Sequence, residues 1–318
     1  MSSFDTGLIP FYTTQFSTNL EALLQQEGSM LRGLVAEGSY TGKMASPINQ
    51  IGAVSFKAPA GRFAPLDQNQ TDQLYRRWIF PQFKELQQLI DTFDKLQTIV
   101  DPTSGYATGA AYAAGREWDD IIIKEATATA KLGQDAANLT DEAFNTTAST
   151  SGGCQVVSTF GSGSTATGLT VDKLIEAKRV LRHSHVNLDR EEATVVAGST
   201  QESDLLKQAQ VTSRDFNPQD KPVLTDGKVV RFMGFNIKYS ERITQTTVGS
   251  VRGVIAFVKS GMHLGIWKEV SSDVDRRIDL SGRPWQLYSE IGFGATRTQQ
   301  FKVIQILCAD TAGADITP

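Results

Sequence analysis

Cysteine is almost missing from this chain of 318 residues, with Cys154 and Cys308 its only two. One lies beside a Gly/Ser-rich stretch and the other in an apolar run, so both read as unpaired thiols of a reducing compartment. Histidine occurs only three times, as His183, His185 and His263. No Cys or Glu stands at ligand spacing to close a shell around them, and no metal is expected. Long apolar runs are also missing. None approaches the ~20 residues of a membrane helix, and residues 1–14 carry neither a basic n-region nor an apolar core. The expectation is a soluble protein made in a cytoplasm, with no signal peptide and no membrane span. In that setting the sequons Asn138-Leu139-Thr140 and Asn145-Thr146-Thr147 carry no meaning. There is no basic excess: the formal net charge is -4. That argues against a dedicated nucleic-acid binder, though not against a protein that encloses DNA without gripping it.

Catalytic signatures are absent as well. There is no Gly-x-Ser-x-Gly elbow, neither cysteine has a family signature around it, and no aspartate pair is marked as general acid and base. The nearest decoy is Gly163-Ser-Thr-Ala-Thr-Gly168-Leu169-Thr170, placed between a strand-like run and a helix as a phosphate-binding loop would be. That loop needs a lysine after its second glycine, where this chain has Leu169, so a flexible linker is the better reading. His183 and His185, near Asp189, end a helix, where cations suit the dipole. The chain is read as a non-enzyme with no cofactor.

What is present is an ordinary globular composition, 40% hydrophobic and 21% charged, with a length that suggests about two domains. Asn19 is a plausible N-cap for a short amphipathic helix through Leu20, Leu23, Leu24, Leu31 and Leu34. Residues 40–68 read as an extended hairpin turning at Pro59-Ala60-Gly61, with too few large apolar side chains to build a core of its own. Tyr75 to Phe83 reads as a strand and Lys84 to Val100 as a helix stopped by Asp101-Pro102. Ala107 to Leu132 is a long Ala-rich helix, with Gly133 at the C-cap position and a stripe of Ala111, Gly115, Trp118, Ile122, Ala126 and Thr129.

Residues 134–170 are low in complexity, with a strand-like run at Cys154 to Phe160, and mark a change of subdomain. Helices follow at Val171–Leu181 and from Ser199, read as a cap, through Leu206, with a strand at Thr194–Ala197 between them. The last third is strands: Val229–Tyr239, a pair formed by Val251–Val258 and Met262–Trp267 about Gly261, then Gln286–Gly294 and Phe301–Cys308. Without regular βαβ alternation, the class is α+β.

The order of these elements resembles the major capsid protein fold shared by tailed phages, herpesvirus shells and encapsulins. The local carriers are Asp101-Pro-Thr-Ser-Gly-Tyr106 with Ala113-Ala-Gly-Arg-Glu-Trp-Asp-Asp-Ile-Ile122, Leu174–Leu181, Gly227–Phe235 and Gly292–Arg297. The resemblance implies an N-terminal arm (1–38), an extended hairpin or E-loop (39–72), a P domain with spine helix and crossover (73–170), an A domain (171–285) and terminal strands returning to the P domain (286–318). It implies a virion protein, assembled in the bacterial host cytoplasm, that forms pentamers and hexamers of an icosahedral head. The head would enclose double-stranded DNA without sequence-specific binding. The implied partners are copies of itself, a separate scaffolding protein, a portal and a decoration protein; the alternative is an encapsulin-type nanocompartment shell. Candidate inter-subunit contacts are Leu20, Leu24, Phe56, Lys57, Arg62, Phe63, Arg76, Arg77, Asp275, Arg276 and Arg277. Lys57 lies in the element that carries a cross-linking lysine in some relatives, but no partner residues are carried over.

Overall fold

The computed structural model describes residues 25–51, 56, 58, 61, 75–90, 103–208, 224–225, 228–243 and 251–310. Its elements run β1 (Ala36–Ser39), β2 (Ala45–Gln50), β3 (Tyr75–Ile79), β4 (Gln82–Ile90), α1 (Thr103–Thr127), β5 (Ala130–Gly133), β6 (Thr140–Glu142) and β7 (Gln155–Val156). Then come α2 (Val171–His183), β8 (Ala193–Ala197), α3 (Ser199–Leu206), β9 (Leu224–Thr225), β10 (Lys228–Val229), β11 (Arg231–Phe232) and β12 (Phe235–Tyr239). The chain closes with β13 (Val251–Val258), β14 (Met262–Arg276), β15 (Trp285–Arg297) and β16 (Val303–Ala309).

Three larger sheets organise these strands: β11-β12-β8-β13-β16-β7, β1-β14-β15-β4 and β2-β3-β5-β6. The central strands β8 and β13 of the six-stranded sheet are buried on both faces, so they read as mostly apolar runs rather than alternating ones. Alternation along β13 sends Val254, Ala256 and Val258 into a core beneath α2 and α3, and Ile255 and Phe257 into a second core. That second core also holds Trp118, Ile121, Ile122 and Ala126 of α1 and Leu264, Ile291 and Phe293 of the four-stranded sheet β1-β14-β15-β4. The long helix is therefore the filling between two sheets.

Several expectations meet corrections. Lys84–Val100 does not form a helix where it is described: Gln82–Ile90 is a strand, paired antiparallel with β15 from Phe293↔Gln82 to Trp285↔Ile90. Its Leu, Glu and Gln are good helix formers, but nine ladder pairs with β15 outweigh propensities of a few tenths of a kcal/mol each. Residues 91–100 lie outside the described set. β13 and β14 do not pair with each other, since the chain crosses at Lys259–Gly261 from one sheet to another. The long helix ends at Thr127 rather than Leu132, and Gly133 belongs to β5 instead of a cap. Ser199 is the first helical residue and Gly198 the N-cap, whose N–H donates to Gln201 Oε1. Only Gln155–Val156 of the strand-like run is a strand. The supposed arm helix retains one 3-10 turn, Arg32–Leu34, and its start at 19–24 lies outside the described residues. Of the terminal strands, β15 joins the sheet of β1, β14 and β4, whereas β16 completes the six-stranded sheet.

The helix end has a specific cause. Arg297, wholly buried, donates from Nη1 to the Ala126 and Ala128 carbonyls at 3.0 and 2.9 Å and from Nη2 to Glu142 O at 3.4 Å. Its guanidinium also lies 5.2 Å from the centre of the Phe144 ring. A cation is favourable at a helix C-terminus, where the last carbonyls lack partners. Burial, and then the nearby Arg77, pull the Arg297 pKa down to about 10, so it remains charged at neutral pH. Arg297→Lys keeps the charge but cannot span carbonyls on three segments. We expect it to cost about 2–3 kcal/mol, read as a lower urea midpoint at unchanged m-value.

Candidate functional site

The feature with most polar structure is the place where the chain's first described segment crosses α1. Asp119, in the middle of that helix, is wholly buried. Its carboxylate accepts from Ser29 Oγ at 2.5 Å, Met30 N at 3.0 Å, Leu31 N at 3.1 Å and Gln26 Nε2 at 2.5 Å. One helix turn earlier, Gly115 leaves room for the crossing: a Cβ there would overlap the Gly28 backbone and stand 2.6 Å from Ser29 N. Gly28 itself has φ +74, a left-handed conformation that glycine adopts without steric cost. Arg116 Nη1 reaches Gln25 Oε1 at 2.9 Å and Gln26 O at 3.2 Å. Arg32 then lies 4.3 Å from the centre of the Trp118 ring and pairs with Glu269 at 2.5 Å and Glu37 at 3.2 Å.

The neighbouring Asp120 points elsewhere. It forms a two-pronged ion pair with Arg242, beyond the end of β12, with Nε to Oδ1 at 2.5 Å and Nη2 to Oδ2. Successive aspartates thus tie one turn of the long helix to the arm and to the segment leaving the six-stranded sheet. Charge-assisted contacts of this kind are about twice as strong as neutral ones.

The arm continues along β14. β1 pairs with it in parallel, and Gly38 lies opposite Gly265. The two glycines form a trough for the Tyr40 and Trp267 rings, whose centres are 5.5 Å apart; a Cβ on Gly38 would stand 2.6 Å from Tyr40 Oη and one on Gly265 2.8 Å from the Trp267 ring. Trp267 Nε1 donates to Gly42 O at 2.8 Å, and Tyr40 Oη hydrogen-bonds the buried His263 Nε2 at 2.8 Å. Burial holds the His263 pKa below its ordinary 6.5. The hairpin then leaves this anchored base: β2 pairs with β3, Ile51 is exposed and Phe56 fully so.

The expected contact residues scatter around this frame. Leu20, Leu24, Lys57, Arg62 and Phe63 lie outside the described residues. Arg76 is exposed on β3, but Arg77 turns inward, 3% exposed, with Nη2 2.6 Å from Glu142 Oε2 of its own chain. Asp275 and Arg276 are exposed at the end of β14, where Arg276 lies 5.5 Å from the centre of the Trp285 ring. Arg277 pairs with Asp279 at 2.5 Å and pulls that carboxyl down to about 2. Sequence reasoning missed Asp119, Asp120 and Arg297. A charged pair beside a tryptophan in an Ala-rich helix was the available signal for the first two.

No cradle for phosphate forms at 163–168. The carbonyls of Thr167, Gly168 and Leu307 converge on the buried Lys173 Nζ at 2.7, 3.0 and 2.9 Å, an arrangement of acceptors that suits a cation. Among the described residues no group of three His, Cys, Asp or Glu side chains could hold a metal ion, and no helix is long and apolar enough to cross a membrane. A cleft of about 500 Å³ at the hairpin's base includes Tyr75, Gln134, Asp135, Asn138 and Glu142 in its wall.

The described part of the N-terminal segment and the strands β2 and β3 are thus both held against a two-core body. The family model for phage capsid protein matches residues 8–310, and the chain belongs to that family. No curated protein matches it. Among solved structures it is similar to the cyanophage Pam1 capsid asymmetric unit, with TM-score 0.70 and 11% identity over 98% of this chain and 100% of that one. It is also similar to Mycobacterium phage Che8, with TM-score 0.66 and 17% identity over 93% of this chain and 97% of that one. The capsid of Ralstonia phage GP4 gives 0.65 and 9%, with both chains covered fully. At such identities these likenesses show the fold, and the family match shows that the chain is a phage capsid protein. Neither comparison supports the encapsulin alternative.

Two outcomes test the anchoring. Asp119→Ala strands the arm's donors and should lower stability by about 2–4 kcal/mol. Hydrogen exchange at the Met30 and Leu31 amides should accelerate while β13 and β16 stay protected. For His263 the native pKa lies below the unfolded one, so its stabilising share is complete above about 6.5 and is lost as pH falls from there through the native value. Melting temperature should therefore drop from about pH 7 to about pH 5.5, and His263→Gln should flatten part of that drop.

Proposed function

We propose that the chain is the major shell subunit of an icosahedral phage head, assembling with copies of itself into pentamers and hexamers around double-stranded DNA. The observation that carries this reading is the hairpin, which is anchored at β2 and β3 and presents a fully exposed phenylalanine, Phe56. A large aromatic left in water forgoes roughly 2–3 kcal/mol of burial, which a neighbouring subunit can supply. Different surfaces of one subunit meeting on its neighbours form heterologous contacts, and these close into rings when the rotation between neighbours allows. Many weak contacts from such projections reinforce one another through effective concentration. The exposed Arg76, Asp275 and Arg276 and the Arg277–Asp279 pair are the polar residues we assign to register between subunits.

In this reading the protein performs no catalytic step and needs no cofactor. Its partners are its own copies, a separate scaffolding protein, a portal and a decoration protein. It assembles in the bacterial host cytoplasm and ends in the virion.

Expressed alone or with its scaffold, the chain should give closed particles in negative-stain electron micrographs; a persistent monomer under all assembly conditions would sink the reading. Phe56→Asp should raise the concentration needed for assembly tenfold or more, at unchanged monomer melting temperature. The tenfold figure follows from the loss of about 1.4 kcal/mol or more per contact.

A further inference from the structure

Strand β4 is the outermost strand of the sheet β1-β14-β15-β4, and among the described residues it pairs only with β15. It runs nine residues, longer than the average strand of about five or six, and its ladder with β15 carries no bulge. No proline interrupts it, and Lys84, its one lysine, pairs with Glu117 of α1. Short length, bulges, proline and unpaired lysines are the devices that keep an edge strand from recruiting another strand. This edge carries none of them. Its side chains nonetheless stand in water: Gln82 to Glu85, Gln87 and Leu89 are exposed, Phe83 at 69% and Leu89 at 56%.

The order of side chains along this edge is self-complementary. Alternation places Phe83, Glu85, Gln87 and Leu89 on one face of the sheet and Gln82, Lys84, Leu86, Gln88 and Ile90 on the other. Two copies of β4 laid antiparallel, edge to edge, are related by a two-fold axis perpendicular to the sheet, which keeps each face on its own side. Facing residues then differ by an even number, so the axis passes at the level of a residue. An axis at Leu86 sets Phe83 opposite the second copy's Leu89, and Leu89 opposite its Phe83, with Glu85 facing Gln87 and Lys84 facing Gln88. An axis at Lys84 or Glu85 sets like charges opposite each other, which destabilises, and one at Gln87 sets Glu85 against Leu89. With the axis at Leu86 the two Glu85 stand on a diagonal, about 7–8 Å apart, each accepting from Tyr288 Oη of its own chain at 3.2 Å.

We propose that β4 pairs edge to edge with β4 of a second copy about a two-fold axis at Leu86, joining their four-stranded sheets into one continuous sheet. The contact is isologous, and so differs from the heterologous contacts that close rings. It rests on the shell reading above for its place alone: there it links a subunit of one ring to a subunit of the next. Ladder hydrogen bonds supply the affinity, and the facing Phe83 and Leu89 side chains fix the register.

The test is disulfide trapping of the full-length chain, unassembled and in particles, read as a dimer band on non-reducing gels. Cys154 and Cys308 are buried, so the unmodified chain is the blank. Leu86→Cys lies on the axis and should link to its own copy. Glu85→Cys and Gln87→Cys should not, because their equivalents stand on diagonals and Cα atoms more than about 7 Å apart do not bridge. Phe83→Glu with Leu89→Glu should raise the dimer dissociation constant about tenfold or more in sedimentation velocity. Melting temperature should not change, because both side chains are exposed. No dimer band from folded Leu86→Cys, a stronger band from Glu85→Cys or Gln87→Cys, or unchanged association of the double variant overturns the proposal. Hydrogen exchange that finds all of β4 protected in the monomer also overturns it, since the chain's own residues then cover the edge. Particles without the Leu86→Cys link leave the shell reading standing and remove this contact; the link without particles does the reverse.

Discussion

A guanidinium without access to water sets the geometry of the junction. Arg297 stands at the end of β15 and collects carbonyls from the last turn of α1, from the residue after the helix and from β6. A buried cation needs acceptors, because an uncompensated one costs several kcal/mol, and here both terminal nitrogens find carbonyls while Nε has no hydrogen-bond partner. That requirement fixes three segments against one another. The helix stops where its carbonyls meet the guanidinium, and the chain leaves as β5 to build the sheet on which the hairpin is seated. Glu125, whose carboxyl burial raises, and Glu142 supply the compensating charge from the same junction.

The middle of the helix repeats the principle with opposite sign. Asp119 is a buried anion whose partners all come from residues 26–31, so the arm's path is written into one carboxylate and the glycine beside it. Asp120 ties the same turn to Arg242. The long helix is thus more than a spacer between two cores, since the arm, both large sheets and the hairpin base refer to it. In the shell reading proposed above, a segment that contacts a neighbour must be held at its root, and these contacts hold it there.

The parts of the fold that were legible in the sequence are those governed by local pattern. α2 runs from Val171 because Thr170 caps it and its apolar residues recur at helical spacing. β8 is wholly buried and reads as an apolar run. β4 was illegible because Leu86, Leu89 and Ile90 sit as well on a helix face as on a strand, and only pairing with β15 chooses. The separation of β13 from β14 was illegible for a related reason: a short connection favours pairing, but Lys259–Gly261 carries the chain between two cores. At the candidate site, nothing in the neighbouring sequence marks Asp119 or Arg297 as buried. Burial of either depends on carbonyls or amides far away along the chain.

By itself the sequence determined the α+β class, the long helix, the absence of a metal or nucleotide motif and the resemblance to shell subunits, because each of these rests on residue types at short spacing. Tertiary structure alone decided which strands share a sheet, where the long helix ends and which charges lie inside. The buried charges depend on hydrogen bonds between residues 88 to 171 positions apart, and no local window contains both partners.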